Sequence, residues 1–386
     1  MTLPNSGSLS FTQIINEFGN LGSLGNYRVP FIVVNEDNIS SGVSWPLDEN
    51  FPTSGSVSFS SFRGKRRNIV VDCYSSGGSR VSAGNRERIT VGGGPTSVTG
   101  SRLIIYVNKT FTTTGGGSRN KCALRTGTFA NVAKMDIIMG NAAKIYGGGG
   151  NGGNGGNAGE ENANAGNSGQ TGTSALGLQR SVEEIVLTTG SLIRAGSGGG
   201  GGGGGAAGEL DNSEEYGGGG GGAGGAGDPA GSGGSRGNSA EEVDDDGNDG
   251  NSGGNPNGGS GGEGATGGEE ENNADGGGGG GGGSWGGSAG SGGEAGQGEG
   301  FSNGEAHDGN PGGYPGLSET GEDNRIPIAN GQGGGGGKGG SRGSGQAEGQ
   351  GGGGGSSGYS ITSNTSIPGV SGGTVQGPTG ANQGVS

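Results

Sequence analysis

Glycine sets the limits on what this chain can fold into. Residues 147–386 hold 93 of its 112 glycines, more than one position in three, while 1–146 hold the other 19. Glycine has no side chain to bury and loses more freedom on ordering than any other residue. Residues 147–386 therefore cannot build an ordinary hydrophobic core. The charge changes at the same point. Residues 1–146 carry 15 Lys/Arg and 8 Asp/Glu, a net of +7; residues 147–386 carry 6 and 28, a net of −22, and the sum is −15. A joint break in glycine content and charge sign marks a domain boundary near residue 146.

The glycines come in runs, Gly198–Gly205, Gly217–Gly222, Gly276–Gly283, Gly333–Gly337 and Gly351–Gly355, separated by polar, acidic insertions. Collagen is excluded, because glycine keeps no strict every-third register along the whole part and the chain has only 12 prolines. One remaining reading is a disordered linker. The other is a bundle of polyproline-II-type helices made of glycine, or polyglycine II. Such a helix has three residues per turn and no internal hydrogen bonds. Without Cβ atoms, neighbouring backbones come close enough to satisfy each other's N–H and C=O groups. Eight glycines would span about 25 Å. Ordering each residue costs roughly 1–2 kcal/mol and a backbone hydrogen bond returns about 1 kcal/mol net, so the bundle needs apolar end units.

The sequence contains such units. Asp136–Ile145 aligns at an offset of 50 with Val186–Ala195, each reading as strand, glycine turn, strand and basic residue, like a hairpin. Each then runs into polyglycine, at Gly147–Gly150 and Gly198–Gly205. Before them, Asn68–Tyr74, Arg88–Val91 and Leu103–Thr114 are β-branched runs bounded by turn residues. They predict a small antiparallel sandwich over 66–146. The fold expected is thus a small, mostly-β N-terminal region with a short helix, then a glycine-rich domain of packed polyglycine-II helices with little regular α/β structure. The divisions are 1–65, 66–146 and 147–386, with an apolar cap over 356–386.

At the N-terminus, Ser6–Ile14 recurs 48 residues later as Ser54–Phe62. In the first copy Ser10 is a helix N-cap with Gln13 at the capping-box position. Phe11, Ile14, Ile15 and Phe18 share one helical face, and Gly19 ends the helix. A helix of two turns is not stable alone, so it must dock, either on its own chain or on another protein. The pattern from Ser6 through Phe11, Glu17, Phe18 and Gly19 to Tyr27 and Arg28 resembles the N-termini of phage tail structural proteins, and Ser58–Lys65 resembles the same element. That resemblance implies that 1–65 attaches the chain to other tail, fibre or baseplate proteins. The attachment candidates are Phe11, Ile14, Ile15, Phe18, Phe59 and Phe62.

At the other end, Gly358-Tyr359-Ser360-Ile361 through Ile367, then Gly372-Gly373-Thr374-Val375-Gln376-Gly377, resembles the terminal motif of glycine-rich phage tail proteins. Ser360 and Ser363 replace the usual small residue and glycine, and Pro368 stands near where an aromatic is usual. In composition the glycine-rich part resembles the polyglycine-sandwich adhesins at the tips of some phage long tail fibres. This implies a virion location and recognition of a bacterial surface receptor, an outer-membrane protein or a polysaccharide, by loops.

No catalytic constellation is present. The single histidine, His307, sits beside Asp308 in a glycine-rich stretch, and no glycine run ends in the Gly-Lys-Ser/Thr of a phosphate loop. Asp244–Gly250 lacks the spacing of an EF-hand, so no metal site or cofactor is assigned beyond weak divalent-cation binding by the acidic loops. Arg63, Lys65, Arg66 and Arg67 lack an aromatic platform, so nucleic acid is not expected as a partner. No apolar run approaches the ~20 residues of a membrane span. Cys73 and Cys122 either pair or stay reduced. The receptor-binding candidates are the insertion residues Tyr216, Trp285, Phe301, His307 and Tyr314, since Tyr and Trp are favoured interface anchors; filling gaps between glycine helices is the other use for such rings. The expected function is a non-enzymatic tail-fibre or tail-tip receptor-binding protein, the alternative being a structural tail protein without receptor contact.

Overall fold

The computed structural model describes residues 3–18, 20, 22–28, 48, 51–52, 54–68, 100–113, 117–127, 129, 131–159, 162–207, 216–239, 247–266, 275–284, 291–295, 349–381, 383 and 385, and the backbone of 31–32, 44–45, 69–73, 81–82 and 88–89. Helix α1 spans Phe11–Phe18. Its capping box is formed: Ser10 N–H donates to Gln13 Oε1 at 2.8 Å and Gln13 N–H to Ser10 Oγ at 3.2 Å. The repeat copy begins a one-turn helix over Phe59–Phe62.

The first strands are β1 (Phe31–Ile32), β2 (Ser44–Trp45), β3 (Ile69–Cys73), β4 (Val81–Ser82) and β5 (Arg88–Ile89). Next come β6 (Arg102–Val107), β7 (Thr110–Thr112), β8 (Cys122–Arg125), β9 (Lys134–Met139) and β10 (Lys144–Tyr146). The glycine-rich part supplies β11 (Ser174–Leu178), β12 (Glu184–Arg194), β13 (Ile361–Ser363), β14 (Gly369–Gln376) and β15 (Thr379–Gly380). An eight-stranded sheet runs β5-β3-β6-β9-β12-β10-β7, with β14 on β12, and a five-stranded sheet runs β15-β13-β11-β8-β4. Within these two sheets every pair is parallel except β3 with β5.

This corrects the expected fold class twice. The β-rich region is not an antiparallel sandwich, and the glycine-rich part is not a body with little regular structure, because five of its segments complete both sheets. The reason lies in the repeat. The two strands of each unit do not fold onto each other as a hairpin. They stack on the equivalent strands of the next unit: Ile137 lies beside Ile185 and Ile145 beside Ile193. The register is 48, two less than the alignment of 50, and an even slip leaves side chains on the same face. Along the chain, β9 and β10 lie in the eight-stranded sheet, β11 in the five-stranded sheet and β12 in the eight-stranded sheet again.

The core lies between the sheets. Leu103, Ile105, Val107, Ile137, Met139, Ile185 and Leu187 meet Leu124, Leu176, Leu178 and Ile361. The alternate residues Ile104 and Tyr106 point to the opposite face, where Leu3, Ile14, Phe18, Tyr27, Phe51 and Phe62 cover them. Covering on both faces explains why β6 reads as an unbroken apolar run. Under this N-terminal cap of Leu3, Ile14, Phe18, Tyr27, Phe51 and Phe62, Glu17 and Arg67 are both buried, and Glu17 Oε1 accepts the Arg67 N–H at 3.1 Å. Burial holds the Arg67 guanidinium below its usual value, and Glu17 opposes that shift.

The glycine segments grow directly from the strand ends. β10 continues as 147–159 and β12 as 195–207, and the pairing continues with them. Gly147, Gly150, Gly153 and Gly156 donate to the carbonyls of Arg194, Ser197, Gly200 and Gly203, a bond every third residue at constant offset. The segment 216–227 uses all three phases. Gly219, Gly222 and Gly225 donate to 147–159; Gly220, Ala223 and Ala226 to 275–284; Gly221, Gly224 and Gly227 to 247–254. Its carbonyls accept from 195–207, 229–239 and 257–266. It is buried throughout, with six neighbours.

Glycine is needed where segments touch. A Cβ built on Gly222 would lie 2.2 Å from the Gly200 carbonyl oxygen, and one on Gly152 would lie 1.8 Å from that of Gly222. Two outer segments confine glycine to their packed sides. In 162–173 it falls at Gly166, Gly169 and Gly172, and in 147–159 the third phase is Asn151, Asn154 and Asn157. Those three Oδ1 atoms accept the N–H groups of Ser232, Ser235 and Asn238 at 3.1, 3.1 and 2.9 Å.

Candidate functional site

The direction of each segment fixes where its connections emerge. Segments 147–159 and 195–207 leave the sheets, and their far ends meet at Gly159 and Ala207. At that same end Ala206 bonds Gly217, Ala158 bonds Asn238, Ala265 bonds Gly218, and Gly349 bonds Gly205. The connections 160–161, 208–215, 240–246, 267–274 and 296–348 therefore all depart from the end remote from the sheets. The first four carry 14 acidic residues (2, 4, 5 and 3) and no Lys or Arg. At the sheet end the chain reverses near Asp228 and Asn257, where Asp228 N–H donates to Gly147 and Gly254 N–H to Asn257. Gly283, near the end of 275–284, bonds Gly198 beside the sheets.

Two arginines tie the sheets to the glycine segments. Arg194, at the end of β12, donates through Nε to Gln376 and through Nη1 to Asn255, both at 2.6 Å. Arg119 donates to the Ser357 carbonyl at 2.7 Å and stacks 5.0 Å from the centre of the Tyr359 ring. Both clamps join elements distant in sequence, so the basic residue after the strand was the sequence signal for only one of them.

Among the receptor-binding candidates, Tyr216 is 3% exposed and packs on Ala206, with Ala158 against the same group. Its ring fills the far end of the stack. Trp285, Phe301, His307 and Tyr314 lie outside the described residues; Trp285 follows Ser284 at the sheet end, whereas the other three belong to the far-end connection 296–348. Of the attachment candidates, Ile14, Phe18 and Phe62 are fully buried, Phe11 and Ile15 are half-buried, and Phe59 is 40% exposed. A polar groove of about 410 Å³ runs over 247–254, 257–266 and 291–295, lined by Asn248, Asp249, Asn251, Ser260, Glu263 and Glu294. Among the described residues no three His, Cys, Asp or Glu converge to hold a metal ion, and no helix is long and apolar enough to cross a membrane. Cys122 is a free, buried thiol, pushed up to about 11 chiefly by burial; the Cys73 side chain lies outside the description. Residues 244–246 of the Asp244–Gly250 stretch lie there as well.

The described architecture is thus a set of parallel strands that continue into a stack of glycine segments bonded through their backbones. The family model for the phage tail fibre adhesin Gp38 matches residues 78–275, or 198 of 386 positions. The chain is a bacteriophage tail-fibre adhesin, located in the virion tail. It belongs to the Gp38 family. A solved structure, the gp37-gp38 adhesin tip complex of the bacteriophage S16 long tail fiber, is similar over 85% of this chain and 88% of that chain, with 12% identity and a TM-score of 0.26. At that score the likeness carries no structural argument. No curated protein matches the chain.

Proposed function

We propose that this adhesin binds a host-cell surface receptor through the connections at its far end, without catalysing a reaction. The observation carrying this reading is the segment topology, which starts five connections from one end of a closely packed stack. A stack bonded every third residue holds its ends in fixed relation, and preorganised loops lose less freedom on binding. The receptor is an outer-membrane protein or a surface polysaccharide. With 14 carboxylates in four connections, attraction to an anionic surface must come from bridging divalent cations, hydrogen bonds or aromatic contacts rather than direct charge. The far-end candidates are Phe301, His307 and Tyr314.

On this reading the N-terminal cap joins the adhesin to other tail-fibre or baseplate proteins of the virion. Phe59, with the half-buried Phe11 and Ile15, supplies the contact, because Ile14, Phe18 and Phe62 are engaged by the chain's own core. The test is an exchange of 208–215, 240–246, 267–274 and 296–348 between phages of different host range. Host range is expected to follow the connections. If it stays with the scaffold, the protein is a structural tail component without receptor contact.

A further inference from the structure

The groove on the flank of the glycine stack has a regular lining. Three outer segments, 247–254, 257–266 and 291–295, lie side by side there. The Asn248 and Asn251 N–H groups donate to the Glu263 and Ser260 carbonyls, and those of Gly261 and Gly264 donate to the Ser291 and Glu294 carbonyls. These bonds align the polar residues in two levels. Asn248, Glu263 and Glu294 stand at one level, and Asn251, Ser260 and Ser291 at the next. Three residues separate the levels within each segment, or about 9 Å along a helix of this type. Glycine between the levels is required by packing. A Cβ on Gly261 would lie 2.0 Å from the Gly279 carbonyl oxygen, and one on Gly262 would lie 2.0 Å from that of Asn248. Bare backbone therefore separates the two polar rows. The side chains also hold one another in place. Asn248 Nδ2 donates to Glu263 Oε2 at 3.0 Å, Asn251 Nδ2 donates to Ser260 Oγ at 2.7 Å, and Asp249 Oδ1 accepts the Arg236 N–H at 2.8 Å.

The chemistry of this lining restricts its ligand. The volume of about 410 Å³ is that of a small-molecule site, but the usual apolar walls are missing. No apolar side chain lines the groove, which excludes a lipid or an apolar peptide, and no Lys or Arg lines it, which excludes an anion. The carboxylates do not converge to chelate a metal ion. What the groove offers is hydrogen-bond acceptors. Ionised carboxylates only accept, and Asp249, Glu263 and Glu294 supply three of them. Glu263 Oε1 and both oxygens of Glu294 take no hydrogen bond among the described residues.

We propose that this groove binds a glycan of neutral or amino sugars, holding about a disaccharide of the chain. Sugar hydroxyls are donors fixed on a ring, and a carboxylate accepts two of them in charge-assisted bonds. The ammonium of an amino sugar adds an ion pair. Side chains already locked by each other lose little freedom on binding. The site is separate from the connections at the far end.

Calorimetry on the intact adhesin with cellobiose, the glucosamine disaccharide and sialyllactose tests this. The first two are expected to bind, and sialyllactose is not, because its carboxylate meets the three in the groove. Replacing Glu263 and Glu294 by alanine removes two charged acceptors and is expected to weaken binding about tenfold or more. Ser291→Leu is expected to block the groove with every carboxylate still present. Exchange of 208–215 is expected to leave sugar affinity unchanged, whatever it does to host range. Both groove variants alter exposed side chains, and slow deuterium uptake at 217–227 verifies that the stack is intact. If a variant loses that protection, the selectivity of the native protein among the three sugars decides. The assignment is overturned if neither cellobiose nor the glucosamine disaccharide binds at millimolar concentration, or if sialyllactose binds as well as they do. It is equally overturned if an intact groove variant binds as the native protein does, or if exchanging 208–215 abolishes sugar binding.

Discussion

At the residue scale the fold turns on which glycines stand against another backbone. Gly222 and Gly7 differ in this respect. A Cβ on Gly222 meets a carbonyl oxygen at 2.2 Å, whereas Gly7 has φ +82° and nothing within 4 Å. Gly222→Ala is expected to cost about 3 kcal/mol by overpacking, and Gly7→Ala about 1 kcal/mol through its left-handed backbone. Denaturant unfolding of the two variants checks the order; equal losses would show that close approach is not what glycine supplies. Asp136 gives a test of sign. Burial raises its carboxyl above the usual value, with Arg102 opposing. The native state then binds that proton more tightly than the unfolded chain. Its contribution to stability is therefore highest in acid and falls as pH rises from about 4 through the raised value. Relative to Asp136→Asn, the native protein should lose stability across that window; a gain would contradict the burial argument. Single residues were legible where a local rule governs them, as with the Ser10–Gln13 cap. Whether Ile14, Phe18 and Phe62 face a partner or their own core depended on Ile104 and Tyr106 of β6, over 40 residues away, which helical periodicity cannot reveal.

At the element scale, the strand units were legible by their repeat and their pairing was not. A strand, glycine turn and strand reads equally as a hairpin or as one turn of a parallel stack, and only the neighbouring unit decides. Ser174–Leu178 and Gly369–Gln376 were hidden by composition, since glycine has low β-propensity; an existing parallel edge organises them regardless. Within 147–159 and 162–173, the phases occupied by glycine mark the packed sides of the segment. The asparagine phase of 147–159 is the clearest case. Asn154→Ala removes the acceptor of the Ser235 N–H and should cost about 1 kcal/mol, with faster amide exchange confined to Ser232–Asn238. Exchange unchanged at Ser235 would show that the asparagine row only decorates the surface.

At the scale of the whole molecule, the charge break seen in the sequence has a spatial counterpart. The N-terminal part is basic, and the acidic connections start from the end remote from the sheets. Adsorption to host cells is accordingly expected to fall when divalent cations are chelated and to recover when they are restored, as measured by free-phage titre. Trp285→Ala, next in sequence to Ser284 of the sheet end, is expected to leave adsorption unchanged, while Tyr314→Ala lowers it. The account rests most heavily on the glycine segments being held by one another's amides. Hydrogen–deuterium exchange on the intact adhesin tests this directly. The account predicts slow uptake over 196–206 and 217–227, comparable to that of β9 and β12; complete exchange of both glycine stretches within seconds, with the strands still protected, would contradict it.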